Sequence, residues 1–190
     1  MKNLYLGIAL ILANGYAQAQ NITKARFTVS GEGDSFRFIE LTLDNGMQVG
    51  INDCSEIAYI ESTEDEHFAD VSADHPKLPI KYYNEFDIHD SHGKIKSIGN
   101  IVFKYNNAFD IHDKFGTLKS VGNIPIRYYN SFDIHDPQGK VKSVGAVEIR
   151  YYNTFDINDR FGDLKSIKGN SSALSVSIPY RRRFAKNVEH

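Results

Sequence analysis

The chain has 190 residues and a formal net charge of −2, which fits one compact domain or one short repeat array. Its 41% hydrophobic and 12% aromatic content excludes a disordered chain, and the absence of a basic excess argues against nucleic-acid binding by phosphate neutralisation. A single cysteine, Cys54, excludes an internal disulfide scaffold and a four-thiolate zinc site.

The chain opens Met1-Lys2-Asn3 and continues through an apolar run over residues 4–13 to Ala17-Gln18-Ala19. One positive charge, a short apolar run and a small-x-small site make residues 1–19 a signal peptide. The run is shorter than the roughly 18 apolar residues that a spanning helix needs. The expectation is therefore an exported protein, periplasmic or secreted, with no membrane span after signal cleavage. In that setting Cys54 is expected to be buried and inert.

Residues 20–79 read as a β-rich N-terminal cap with an acidic linker. Phe36-Arg37-Phe38-Ile39-Glu40-Leu41-Thr42-Leu43 is strand-like, and Asp44-Asn45-Gly46 is a hairpin signal. Glu61, Glu64, Asp65, Glu66, Asp70 and Asp74 make the linker acidic.

Residues 80–169 hold four gapless copies of a 23-residue unit. The copies begin Lys81-Tyr82-Tyr83-Asn84, Lys104-Tyr105-Asn106-Asn107, Arg127-Tyr128-Tyr129-Asn130 and Arg150-Tyr151-Tyr152-Asn153. Each continues through Phe-Asp-Ile-His-Asp, or Phe-Asp-Ile-Asn-Asp in the last copy, to Gly93, Gly116, Gly139 or Gly162. Apolar and polar residues then alternate, as in Val147-Glu148-Ile149-Arg150-Tyr151, which is the period of a half-buried strand. The Asn/Asp/Gly segments are turn chemistry, and Gly99-Asn100, Gly122-Asn123 and Gly145-Ala146 suit tight hairpins. The fold class is thus all-β, an elongated tandem-repeat sheet built as a meander of β-hairpins. The alternative is a β-solenoid with one coil per repeat. That arrangement stacks like charges about 4.8 Å apart, whereas a meander spaces them about 9.6 Å apart. In the meander, Phe86, Phe109, Phe132 and Phe155 are expected to cap one edge of the apolar face. Residues 170–190 supply a closing strand and a basic tail, Arg181-Arg182-Arg183.

In period and in Tyr/Gly punctuation the array resembles MORN-type hairpin repeats. The Tyr…Phe-Asp…Asp-x-x-Gly-Lys rhythm is similar to the YD-type repeats of secreted bacterial proteins. The resemblance covers residues 80–169. It implies a scaffold or binding role and supplies no catalytic residues.

Three sets of residues carry possible chemistry. Tyr82, Tyr83, Tyr105, Tyr128, Tyr129, Tyr151 and Tyr152 recur beside Lys81, Lys104, Arg127 and Arg150. Neighbouring residues of a strand face opposite ways, so one tyrosine of each pair is expected outside, forming a stripe for a protein or glycan. Asp87, Asp90, Asp110, Asp113, Asp133, Asp136, Asp156 and Asp159 are oxygen donors on turns, so a calcium-stabilised module is an alternative; their spacing departs from that of known calcium loops. His89, His112 and His135 share one position, where the fourth copy has Asn158. No nucleophile, phosphate-loop or zinc-protease motif is present. Every candidate recurs with the repeat, whereas an active site is one special place. The expectation is a protein that is not an enzyme and needs no cofactor. The remaining alternative is a hydrolase with its site near Asp53 and Cys54.

Overall fold

The computed structural model describes residues 21–62 and 78–179. These residues form thirteen strands and no helix. The first sheet contains β1 (Ile22–Val29), β2 (Phe36–Leu43), β3 (Met47–Asn52) and β4 (Ile57–Ser62). The second contains β5 (Ile80–Tyr82), β6 (Ile95–Ile98), β7 (Ile101–Tyr105), β8 (Leu118–Val121), β9 (Ile124–Tyr128), β10 (Val141–Val144), β11 (Val147–Tyr151) and β12 (Leu164–Lys168). The last strand, β13 (Leu174–Ser177), returns to the first sheet.

The second sheet has eight strands in strict chain order, each antiparallel to the next. That is a meander of hairpins. A one-coil solenoid would instead pair equivalent strands in parallel. The hairpins between β6 and β7, β8 and β9, and β10 and β11 turn on Gly99 (φ 56°), Gly122 (φ 56°) and Gly145 (φ 55°). Each is the first central residue of a two-residue turn, where positive φ matches the twist of the strands.

The first sheet has the order β13-β1-β2-β3-β4. Its N-terminal strands were expected to cap the array. They instead lie across its apolar face, because both sheets have one apolar side and each covers the other. Phe27, Leu41 and Val49 from one side meet Ile95, Phe103, Val121 and Ile149 from the other in a single core. The closing strand likewise does not extend the array. It pairs parallel with β1, setting Phe27 opposite Val176.

The loop between β1 and β2 joins the two sheets. The Gly33 carbonyl accepts the Val141 N–H at 2.7 Å and the Tyr151 hydroxyl at 3.3 Å, and the Glu32 carbonyl accepts from Lys140. Gly33 has φ +80°, and a Cβ there would lie 2.6 Å from the Tyr151 hydroxyl oxygen, so the position needs glycine. The predicted signal peptide, most of the acidic linker and the basic tail fall outside the described residues.

Candidate site on a ladder of stacked turns

One irregularity in the ladder sets up the site. Tyr82 pairs with Ile95 while Lys81 pairs with Ser97, which leaves Lys96 as an extra residue. The same bulge isolates Lys119, Lys142 and Lys165. A bulge re-aims its extra side chain. Here it sends each ammonium to the aspartate of the preceding turn: Lys96 to Asp87 at 2.5 Å, Lys119 to Asp110 at 2.5 Å, Lys142 to Asp133 at 2.6 Å and Lys165 to Asp156 at 2.5 Å.

The second carboxylate oxygen of each aspartate accepts a backbone N–H, from Asn84, Asn107, Asn130 or Asn153, at 3.0 Å. The asparagine carbonyl oxygens in turn accept the N–H of Phe86, Phe109, Phe132 and Phe155. Each turn is thus fixed by its own side chains. The lysine and the backbone bond hold the carboxyls of Asp87, Asp110 and Asp156 below the usual carboxylate value. At Asp133 burial pushes the other way, and Lys142 with the Asn130 N–H outweighs it.

Neighbouring turns are also bonded to each other. Asn107 Nδ2 donates to Asp90 at 3.1 Å, Asn130 to Asp113 at 3.4 Å and Asn153 to Asp136 at 3.0 Å. His89 lies tilted against Phe109, His112 against Phe132 and His135 against Phe155, with ring centroids 4.3–4.6 Å apart. This explains Asn158. The histidine position serves the phenylalanine of the following turn, and no fifth turn follows.

The expected tyrosine stripe is not there. Tyr83, Tyr105, Tyr128, Tyr129 and Tyr151 are buried, Tyr152 is half-buried, and Tyr82 alone among them is well exposed. Alternation fails because the strand ends at the first tyrosine of each pair, so the second belongs to the turn. Its ring swings under the next strand pair: Tyr83 donates to the Phe103 carbonyl at 3.0 Å and Tyr129 to that of Ile149 at 3.1 Å. Burial raises both hydroxyls, and it pushes Tyr105 up to about 12. Lys96 and Lys142 cover the rings of Tyr83 and Tyr129 at 5.1 and 5.0 Å. The basic partners do face outward. Lys81, Lys104, Arg127 and Arg150 are exposed, each paired across the ladder with a serine (Ser97, Ser120, Ser143 and Ser166).

The phenylalanines also depart from expectation. They do not cap the core edge. Phe86, Ile88, Phe109, Ile111, Phe132, Ile134, Phe155 and Ile157 are 71–87% exposed. The asparagine and aspartate bonds hold the turn backbone outward, so the apolar tips project from it. Sequence reading missed this face because an apolar residue is by default assigned to a core. The available signal was that each Phe-Asp-Ile lies inside turn chemistry and outside any strand.

Among the described residues, no three His, Cys, Asp or Glu side chains gather as a metal site. Seven of the eight aspartates proposed for calcium are already bonded: Asp87, Asp110, Asp133 and Asp156 to lysine, and Asp90, Asp113 and Asp136 to asparagine; the eighth, Asp159, is exposed on the last turn. The like-charge column is thereby compensated within the chain.

Cys54, expected to be buried, is exposed on the turn between β3 and β4. The tip is held by Asn52, whose side-chain oxygen accepts the Glu56 N–H at 2.9 Å. The neighbouring Asp53 charge pushes the thiol up, which opposes the thiolate that a nucleophile requires.

No protein-family model, curated protein or solved structure matches the chain.

Proposed function

We propose that this is an exported, non-enzymatic binding or structural module of the cell envelope or the extracellular space, and that its contact surface is the ladder of stacked turns. One observation carries this reading: eight large apolar side chains, set on turns bonded to one another, are mostly exposed to water. Apolar surface of that extent marks an interaction site. The turns are fixed before any partner arrives, so little ordering entropy is lost on contact. Export rests on the charge and apolar pattern of residues 1–19.

The test is co-sedimentation of the protein with an isolated envelope fraction. The variant carries Phe86→Ser, Phe109→Ser, Phe132→Ser and Phe155→Ser together. Wild type is expected in the pellet and the variant in the supernatant, with unchanged circular dichroism. Equal pelleting of a folded variant would remove the turns as the contact surface.

A further inference from the structure

Three of the four repeat units place a tyrosine where the strand gives way to the turn: Tyr83, Tyr129 and Tyr152. The second unit places Asn106 there. The backbone is unchanged by the exchange. The Asn106 N–H donates to the Thr117 carbonyl at 2.8 Å and its own carbonyl accepts from Gly116 at 2.7 Å; Tyr129 makes the same pair with Lys140 and Gly139 at 2.8 and 2.7 Å. Only the side chain differs. Asn106 is buried, and its amide donates to Thr117 Oγ1 at 2.8 Å.

The neighbouring units show what a ring does at this place. Tyr83 and Tyr129 lie edge to face against Tyr105 and Tyr151, with centroids 5.9 and 6.1 Å apart. Lys96 and Lys142 cover them, and their hydroxyls donate to the carbonyls of Phe103 and Ile149. In the second unit the equivalent groups are Tyr128, Lys119 and the Ile126 carbonyl. Among the described residues no ring lies between Tyr128 and Lys119, and no side chain donates to that carbonyl. Gly145 donates to the Pro125 carbonyl, so ladder alternation turns the next carbonyl, that of Ile126, toward β8. Pairing of β8 with β9 stops at Pro125, so the Ile126 carbonyl opens onto the gap beside the bulge residue Lys119. Asn106, Lys119, Ile126 and Tyr128 together line a cleft of about 480 Å³. The matching cleft one unit on, about 440 Å³, already has Tyr129 in its wall. Lys119, Arg127 and Lys142 stand beside Asp113 and Asp133 around the first cleft, and this mixture of signs favours a neutral ligand over an ionic one.

We propose that the cleft at Asn106 binds a neutral phenol, as a free para-alkyl phenol or as the tyrosyl side chain of a partner. It seats as Tyr83 and Tyr129 do, with its ring against Tyr128 and under the Lys119 ammonium and its hydroxyl donating to the Ile126 carbonyl. The site stands whether or not the turn tips contact the envelope.

The experiment is an NMR titration of the isotope-labelled full chain with p-cresol, with toluene as the ring that lacks a hydroxyl, and with the peptide acetyl-Ala-Tyr-Ala-amide. p-Cresol is expected to move the backbone signals of Lys119, Ile126 and Tyr128 with a dissociation constant on the order of 1 mM. Toluene should bind several-fold more weakly, since it leaves the Ile126 carbonyl without a donor. Tighter binding of the peptide than of p-cresol assigns the site to a partner's tyrosine; the reverse assigns it to a free phenol. Asn106→Tyr supplies the ring from the chain itself and should abolish p-cresol binding with unchanged circular dichroism. Lys119→Met keeps an apolar stem without the charge, and should bind p-cresol several-fold more weakly; it decides the matter if Asn106→Tyr does not fold. Unmoved signals in wild type, equal binding of toluene, or undiminished binding by either folded variant overturns the proposal.

Discussion

The two sheets share a core and differ in almost everything else. β1 and β2 have eight residues each, and their register is set by long alternating runs. The strands of the eight-stranded sheet have three to five. Short strands hold there because their connections are themselves bonded structures, tied by Asn, Asp and bulge lysine. The first sheet carries its outward polar bonds on strands, with Arg26 Nη1 3.1 Å from Glu40 and Tyr59 donating to the same carboxylate. The second carries most of them between turns and bulge lysines, with Arg150 and Glu148 paired along β11. The comparison teaches that one half of this molecule is stabilised mainly by its strands, and the other by its strands and its connections together.

The largest expected effect tests whether the core is one unit. Phe27 and Phe103 are each 1% exposed, on opposite sides. Phe27→Ala and Phe103→Ala should each cost about 3–5 kcal/mol in chemical denaturation. Each should leave a single transition by both far-UV and near-UV signals. Two separated transitions would mean that the sheets melt independently.

Next comes the bond between the sheets. Gly33→Ala forces a side chain into the left-handed region and against Tyr151, and about 2 kcal/mol or more should be lost. A change below experimental error would show that the loop is not a joint.

Acid should weaken the array through its turns. Asp87, Asp110, Asp133 and Asp156 titrate below the usual carboxylate value, so the folded chain favours their charged forms. Their contribution is complete above about pH 4 and is lost as pH falls through the lowered values. The melting temperature should therefore drop between pH 5 and pH 2, and less steeply in a protein with all four changed to asparagine. At the other extreme, Tyr105 favours its protonated form up to about 12. Its contribution is present below about pH 10 and fades as pH rises toward that value.

The smallest effect separates lysine geometry from charge. Lys142→Met removes a half-buried ion pair with Asp133 and should cost about 1 kcal/mol. Lys142→Arg should recover part of that loss in the same denaturation assay. A large loss in both would point to packing of the lysine stem over Tyr129.

Much of the fold was legible because alternation reports burial wherever a strand is straight. In β11, Val147, Ile149 and Tyr151 face inward, and Glu148 and Arg150 face outward, as their period requires. Turn chemistry was equally legible, since Asn, Asp and Gly act on their own backbone. The site was less so. The parity rule misplaced Tyr83 and Tyr129 because it stops at the strand end. Cys54 was misplaced because composition and compartment do not reveal that it sits on a hairpin tip. Phe86 and its counterparts were assigned to the edge of the apolar face by hydrophobicity alone.

By itself the sequence determined the all-β class, the strand faces and the composition of the turns, because these depend on contacts within a few residues. Only the tertiary structure decided that the N-terminal strands cover the array and that β13 returns to β1. It alone decided that a bulge delivers each lysine to an aspartate nine residues away, and that the turns stack with their apolar tips in water. Those outcomes depend on which strand lies beside which, and no local pattern in the chain carries that information.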